Sequence, residues 1–190
     1  MAHRVTRGRR TLTGAAVVAG LSLTGPAWAG GTPTEGDDRL RGTSGADTIE
    51  ALGGDDGIHG FRGRDRLYGG AGSDRVHGGL GPDLLVGGPG PDLASGGPGR
   101  DGLYVNAAHD VLRAGAHADV VVPGHGRDVV HAGPGDDEVF VDNDGRRDRI
   151  FCDGGHDWVE ISLGRHERRD SLDTYVDCES VYVDREGVAD

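Results

Sequence analysis

An aspartate stands at every ninth residue from Asp38 to Asp137, twelve carboxylates in one unbroken frame. They are Asp38, Asp47, Asp56, Asp65, Asp74, Asp83, Asp92, Asp101, Asp110, Asp119, Asp128 and Asp137. If the nonapeptide is numbered so that aspartate holds place six, place eight is aliphatic from Leu40, Ile49 and Ile58 to Val139, with Ala94 the one small member, and glycine crowds places one to four. Evenly spaced carboxylates beside glycine-rich backbone offer one chemistry above others, the capture of hard cations. Each carboxylate brings charge, and each bare turn brings carbonyl oxygens beside it. Calcium suits such donors best, since it takes about six to eight oxygens in flexible geometry. Magnesium's stricter octahedron fits less well, and a transition metal would want histidine or cysteine at fixed spacing.

The elements that must hold these groups follow from the same nine places. Glycines at places two and four, such as Gly70 with Gly72 and Gly97 with Gly99, let the backbone take positive φ in a tight turn. The x-apolar-x triplet at places seven to nine alternates as a strand does, which sends Leu67, Leu85 and Leu103 inward and place nine outward. Place nine of the odd repeats reads Arg41, His59, His77, Ser95, Arg113 and His131, and that of the even repeats Glu50, Tyr68, Val86, Tyr104, Val122 and Phe140. This polar and apolar alternation over eighteen residues is what two strands per coil would produce. The stripe Tyr68, Val86, Tyr104, Val122 and Phe140 would be an exposed apolar ladder. It is either a surface for self-association or an extracellular partner, or only the strand preference of those residue types. His59 and His77 fall on adjacent coils of the polar wall and read as solvated side chains rather than as a metal pair.

Residues 69–74, 78–83, 87–92 and 96–101 each read Gly-Gly-x-Gly-x-Asp. The repeat resembles the RTX, or haemolysin-type, calcium-binding nonapeptide. The resemblance implies an all-β fold, a parallel β-roll (a right-handed β-solenoid) with two short strands per coil of eighteen residues. It also implies ions between turns two repeats apart, bound by both aspartates and by turn carbonyls. The ligands expected are Asp38, Asp47, Asp56, Asp65, Asp74, Asp83, Asp92 and Asp101, with Asp128 and Asp137 after them. The turn glycines expected beside them are Gly54, Gly63, Gly70, Gly72, Gly79, Gly81, Gly88, Gly90, Gly97 and Gly99. At Asp110 and Asp119 the fourth place is Ala108 and His117, so that stretch is expected to bind weakly or stay empty. Place five, where the family often carries Asn or Asp, holds Pro82 and Pro91 in two repeats.

Such a core is thin. One aliphatic side chain per repeat is worth about 1.5–3 kcal/mol, against roughly 1–2 kcal/mol of backbone entropy for each ordered residue. Stacked aspartates about 4.8 Å apart would add repulsion of roughly 1 kcal/mol per pair even in a water-like dielectric. A cation must therefore supply part of the folding free energy.

The flanks add context. Four arginines, an apolar stretch from about Leu12 to Leu23, Pro26 and Ala27-Trp28-Ala29 read as a cleaved secretory signal over residues 1–29, with a short linker at 30–32. The repeats are taken as 33–141 and a cap as 142–190. Excising a segment with four arginines and no acid moves the formal charge from −12 to −16. That balance argues against nucleic acid and anionic membranes, and no later segment is apolar enough for membrane insertion. Cys152 and Cys178, the only cysteines, are expected to pair in a secreted, extracellular chain. After Val141 two extra residues predict a bulged turn near Asn143, Asp144 and Gly145. The rhythm then resumes with Asp148 and Ile150, and with Asp157 and Val159. This tail is similar to the closing segment of small actinobacterial secreted calcium-binding proteins.

The function expected is a secreted, non-catalytic calcium-binding protein, structural or interactive, whose roll folds on the ion. The alternative is an accessory or adhesion module, or a protein associated with a hydrolase or epimerase of extracellular glycan. RTX repeats elsewhere are appended to catalytic domains, and the repeats and cap leave no room here for one. Neither G-x-S-x-G nor H-E-x-x-H occurs.

Overall fold

The computed structural model describes residues 32–163 and 173–185. The expected signal segment therefore lies outside the described residues. Among those described, no helix is long and apolar enough to cross a membrane, and all seventeen regular elements are strands. In chain order they begin with β1 (Arg39–Arg41), β2 (Thr48–Glu50), β3 (Gly57–Arg62), β4 (Arg66–Tyr68), β5 (Arg75–Leu80) and β6 (Leu84–Val86). Next come β7 (Leu93–Pro98), β8 (Gly102–Tyr104), β9 (Ala107–Ala108), β10 (Val111–Ala116), β11 (Val120–Gly126) and β12 (Val129–Pro134). The last five are β13 (Glu138–Asp142), β14 (Arg149–Gly154), β15 (Trp158–Leu163), β16 (Thr174–Val176) and β17 (Ser180–Arg185).

They form two parallel sheets, one with the order β1-β3-β5-β7-β10-β12-β14-β16 and the other β17-β15-β13-β11-β8-β6-β4-β2, with β9 added beside β11. Odd and even repeats thus separate onto two walls, and the chain is a β-solenoid of about eight coils, as the eighteen-residue alternation predicts. The register keeps place eight against place eight. Leu40, Ile58, Val76, Ala94, Leu112, Val130, Ile150 and Tyr175 align across one wall. Ile49, Leu67, Leu85, Leu103, Val121, Val139, Val159 and Val181 align across the other. From Leu40 to Val159 each of these except Ala94 is a bulky aliphatic, and all are buried. They form the core between the walls.

The core is thicker than one side chain per repeat. Place one also points inward, and there Ala51, Val105, Ala114, Ala132, Val141, Cys152 and Ile161 are buried. Before Val105 that place is mostly glycine, so apolar filling is concentrated in the C-terminal half.

Turn geometry explains the glycines. Nine of the ten expected turn glycines have positive φ, for example Gly72 at 140° and Gly81 at 119°. Gly99 is the exception and is fixed by space instead: a Cβ there would come 2.0 Å from the carbonyl oxygen of Gly81. At Gly81 both constraints act, since a Cβ would meet the Gly63 carbonyl oxygen at 1.8 Å. Gly81→Ala should therefore cost about 1–3 kcal/mol from backbone strain alone, with the overlap in addition. Equilibrium denaturation in calcium would read this as a lowered midpoint. Ala108 (φ 127°) and His117 (φ 91°) take the glycine conformation without being glycine, as the fourth place demands.

At the end of the solenoid the bulge lies where the two extra residues predict it. Gly145 has φ 78°, and the Asp144 amide donates to the Asp142 carbonyl. Cys152 and Cys178 are joined, with Cα atoms 5.1 Å apart. The bond ties the buried Cys152 within β14 to the segment leading into β17. Cys178→Ser should cost roughly 3 kcal/mol by loop entropy and raise the calcium concentration at which half the chain is folded. An unchanged midpoint would show that the cap holds without the bond.

Candidate cation-binding columns

Each aspartate at place six turns into the roll, not out to solvent. From Asp56 to Asp157 every one is at most 4% exposed. Their arrangement is a ladder that periodicity alone does not predict. The backbone N–H of each aspartate donates to Oδ1 of the aspartate one coil on, so Asp56 N–H reaches Asp74 Oδ1 at 2.9 Å and Asp65 N–H reaches Asp83 Oδ1 at 2.8 Å. One column runs Asp38, Asp56, Asp74, Asp92, Asp110, Asp128, Asp148 and Asp173. The other runs Asp47, Asp65, Asp83, Asp101, Asp119, Asp137, Asp157 and Glu179. Asp173 and Glu179 lie off the nine-residue frame, at steps of 25 and 22 residues, and only the three-dimensional register reveals them.

The second carboxylate oxygen divides interior from ends. In the first coil Oδ2 of Asp38 accepts from the Thr34 amide and hydroxyl, and Oδ2 of Asp47 accepts from those of Thr43. Both of these aspartates were expected as ligands, and here threonine satisfies them locally. In the last coils Glu179 accepts from Asp157 N–H, and the Tyr175 hydroxyl donates to Asp173 Oδ2. Between them, Oδ2 of eleven aspartates is buried with no hydrogen-bond partner: Asp56, Asp65, Asp74, Asp83, Asp92, Asp101, Asp110, Asp119, Asp128, Asp137 and Asp157. Leaving even one buried acceptor unmet costs about 1–3 kcal/mol, and more when it is charged.

The surroundings of Oδ2 are made by place one. A Cβ built on Gly60 would lie 2.4 Å from Asp65 Oδ2 and 2.6 Å from the Gly78 carbonyl oxygen. The same holds at Gly69 for Asp74 and Gly87, at Gly78 for Asp83 and Gly96, and at Gly96 for Asp101 and Ala114. A carboxylate oxygen and a carbonyl oxygen of the next coil thus converge on one point, and both are acceptors. Both oxygens crowd the α-carbon of place one, and bare glycine leaves them undisturbed where a side chain would have to displace them. From Val105 onward the place is occupied by Val105, Ala114, Pro123 and Ala132. Asp110 and Asp119 keep the same ladder bonds and orphaned oxygens as their neighbours. What sets them apart is a filled place one, which they share with Asp128 and Asp137. The expected turn glycines Gly54, Gly63, Gly70, Gly72, Gly79, Gly81, Gly88, Gly90, Gly97 and Gly99 stack on the turn backbone of the preceding coil, and Gly99 also lies against Asp101 Oδ1.

Burial dominates the electrostatics. It pushes Asp65 and Asp119 up to about 6, Asp92, Asp101 and Asp137 up to about 7, and Asp128 up to about 8. The donated amide of the preceding coil pulls each part of the way down. Neighbouring carboxylates of the column push most of them up again, as Asp119 and Asp83 do for Asp101. Among the described residues no three His, Cys, Asp or Glu side chains gather into a metal-type cluster. The oxygens that do converge are carboxylates and backbone carbonyls, which is the donor chemistry of calcium. The residues present fit that ion.

The two walls differ as the outward places predict. Tyr104 is exposed, while Tyr68, Val86, Val122 and Phe140 are half-buried. On the other wall the His59 ring stacks on Phe61 at 4.0 Å and meets His77 edge-on at 4.6 Å. Phe61 holds place two, normally a glycine, at φ 78°.

No curated protein matches the chain. The RTX calcium-binding nonapeptide repeat profile, four copies long, matches residues 32–60, 54–85, 77–112, 95–130 and 114–145, which together exceed half the sequence. With the repeat frame, the two-walled solenoid and the paired carboxylate columns, this match makes the chain a member of the RTX calcium-binding nonapeptide repeat family.

Proposed function

We propose that the chain is a secreted, non-catalytic calcium-binding protein whose β-roll folds when calcium enters its turns, and whose apolar wall serves a partner contact outside the cell. The observation that carries this reading is the set of eleven buried, unpartnered Oδ2 atoms. An acidic interior of that kind needs either protons or a counter-charge, and above the raised range of these aspartates a cation is what serves. Asp65, Asp74, Asp83, Asp92 and Asp101 are the principal ligands, since a glycine at place one leaves Oδ2 of each undisplaced, with a place-one carbonyl of the following coil beside it at Asp65, Asp74, Asp83 and Asp101 and the Val105 side chain beside it at Asp92. Asp56, Asp110, Asp119, Asp128 and Asp137, whose place one is filled, bind more weakly, and Asp38 and Asp47 serve mainly as the threonine-bonded end of the ladder. When bound, calcium supplies two positive charges and an oxygen-seeking coordination shell.

The chain's own residues do the rest. The place-six amides fix Oδ1, place eight closes the core, and the turn glycines bring neighbouring coils close enough to share ligands. Titrating calcium into the chelated chain while recording circular dichroism should raise the β signal with a midpoint of about 10⁻⁴–10⁻³ M, the range of extracellular modules. Identical spectra with chelator and with millimolar calcium would defeat the proposal.

A further inference from the structure

The outward faces of the two walls are chemically opposite, and both repeat at the same interval. On the β1-to-β16 wall, places seven and nine carry five arginines and no acid. Arg39 and Arg41 lie on β1, Arg75 on β5, Arg113 on β10 and Arg149 on β14, all exposed. In sheet order these are alternate strands, so guanidinium groups recur about every 9–10 Å along the solenoid. Near the cap Asp153 lies 3.7 Å from His131 on that side, and in the first coils Asp37 and Asp55 are exposed at place five.

On the other wall the aromatic members of place nine are Tyr68 on β4, Tyr104 on β8, Phe140 on β13 and Tyr182 on β17. These too are alternate strands of their sheet, with the same interval. Trp158 joins the row by packing edge-on against Tyr182 at 5.5 Å. The acids Glu50, Glu138 and Glu160 occupy places seven and nine of this wall against Arg66, the one cation at those places among the described residues, while Arg64 and Arg100 of the turns border the same surface as Tyr104. A row of arginines and a row of rings with equal spacing match when laid face to face. A guanidinium over an aromatic face is attractive, and the glutamates oppose the net positive wall. The molecule uses this pairing within itself, where Arg149 sits 5.2 Å over the Phe151 ring.

We propose that the occupant of each wall is the opposite wall of a second copy of this chain. Arginine and aromatic faces lie on opposite sides of the same coil, so the contact is heterologous. Every added copy leaves one face of each kind open, and the product is an open-ended stack rather than a closed dimer. The proposal rests on the calcium-folded roll argued above, because only stacked coils align the rows.

Sedimentation velocity on the calcium-loaded chain tests it, with circular dichroism on each sample to confirm that the roll has formed. The wild type should show an average mass that climbs with concentration past twice the 19.7 kDa of one chain. The doubly substituted Arg75→Ser, Arg113→Ser chain and the Tyr68→Ser, Tyr104→Ser chain should each stay single. Mixed, they should give a one-to-one pair and stop there, since each keeps one complementary face. A folded wild type that stays single at all concentrations overturns the proposal, as does a symmetric dimer that grows no further. So does association undiminished in both variants, or a single chain whose arginine wall instead binds heparin, used as a probe of acidic polysaccharide. Absence of β structure in calcium would be a failure of the earlier reading and is seen separately in the dichroism.

Discussion

With divalent ions chelated at pH 8, the chain should lose most of its β signal, and acidification to pH 4 should restore much of it. Ordinary surface carboxylates would give the reverse. Burial holds Asp65, Asp92, Asp101, Asp119, Asp128 and Asp137 at about 6 to 8 in the folded chain, whereas an unfolded aspartate titrates near 3.9. A group whose folded pKa is raised binds its proton more tightly in the folded state. Its contribution is fully present below about pH 4 and is lost as the pH climbs through 6 to 8. Several aspartates act together in each column, so the loss is cumulative. In excess calcium the dependence inverts, because the ion competes with protons for the same oxygens and wins at high pH. The measurement is far-ultraviolet dichroism from pH 3 to 9, with chelator and with calcium, at chain concentrations low enough that the signal does not depend on them near the isoelectric point of about 5.0. A chelated chain equally ordered at pH 4 and pH 8 would refute the account of the columns.

The second large effect is a change of sign. Asp101→Asn preserves an oxygen able to accept the Asp83 amide, now 2.8 Å from Oδ1. It also removes a charge whose ionisation the folded chain resists, and its amide nitrogen can donate toward the Ala114 carbonyl oxygen that shares the space with Oδ2. Without calcium the variant should be more stable than the parent at pH 7, by on the order of 2–4 kcal/mol. With calcium it should be less stable, and its midpoint for calcium should rise several-fold. The matched change Asp119→Asn should show the calcium-free gain but a smaller calcium penalty, because Ala114 already fills place one of that repeat. Denaturant titrations of both variants in chelator and in calcium supply the four comparisons. A destabilised Asp101→Asn chain under both conditions would mean that the carboxylate is structural in its own right.

Much of this molecule can be read from spacing alone, and the reason is physical. A coil of fixed length forces chemically equal places into columns, so nine-residue periodicity implies the strands, the inward row from Leu40 to Val159 and the split of His77 and Tyr68 onto different walls. The inward turn of the aspartates is less legible, because place six borders both turn and strand, and only the amide of the preceding coil decides which way it faces. Asp173 and Glu179 escape for another reason. Insertions separate them from the frame by sequence distance while leaving them in register in space. Place one is hard to read as core, since glycine there in the early repeats conceals a position that Val105 and Cys152 later fill. Thr34 and Thr43 likewise carry no periodic signal, and only the turn geometry sets their hydroxyls on the first two carboxylates.

The amide-to-carboxylate ladder also has a return bond. Each coil lends an amide to the carboxylate of its successor and receives, on the carbonyl of the same aspartate, the place-seven amide of that successor, as Asp56 does with Asp74 and Arg75, so adjacent coils complete one another. A polypeptide leaving a ribosome or a translocon presents its N-terminus first. A coil that has emerged alone therefore has both halves of this exchange unmet, and assembly has to wait until at least one neighbour has emerged beside it.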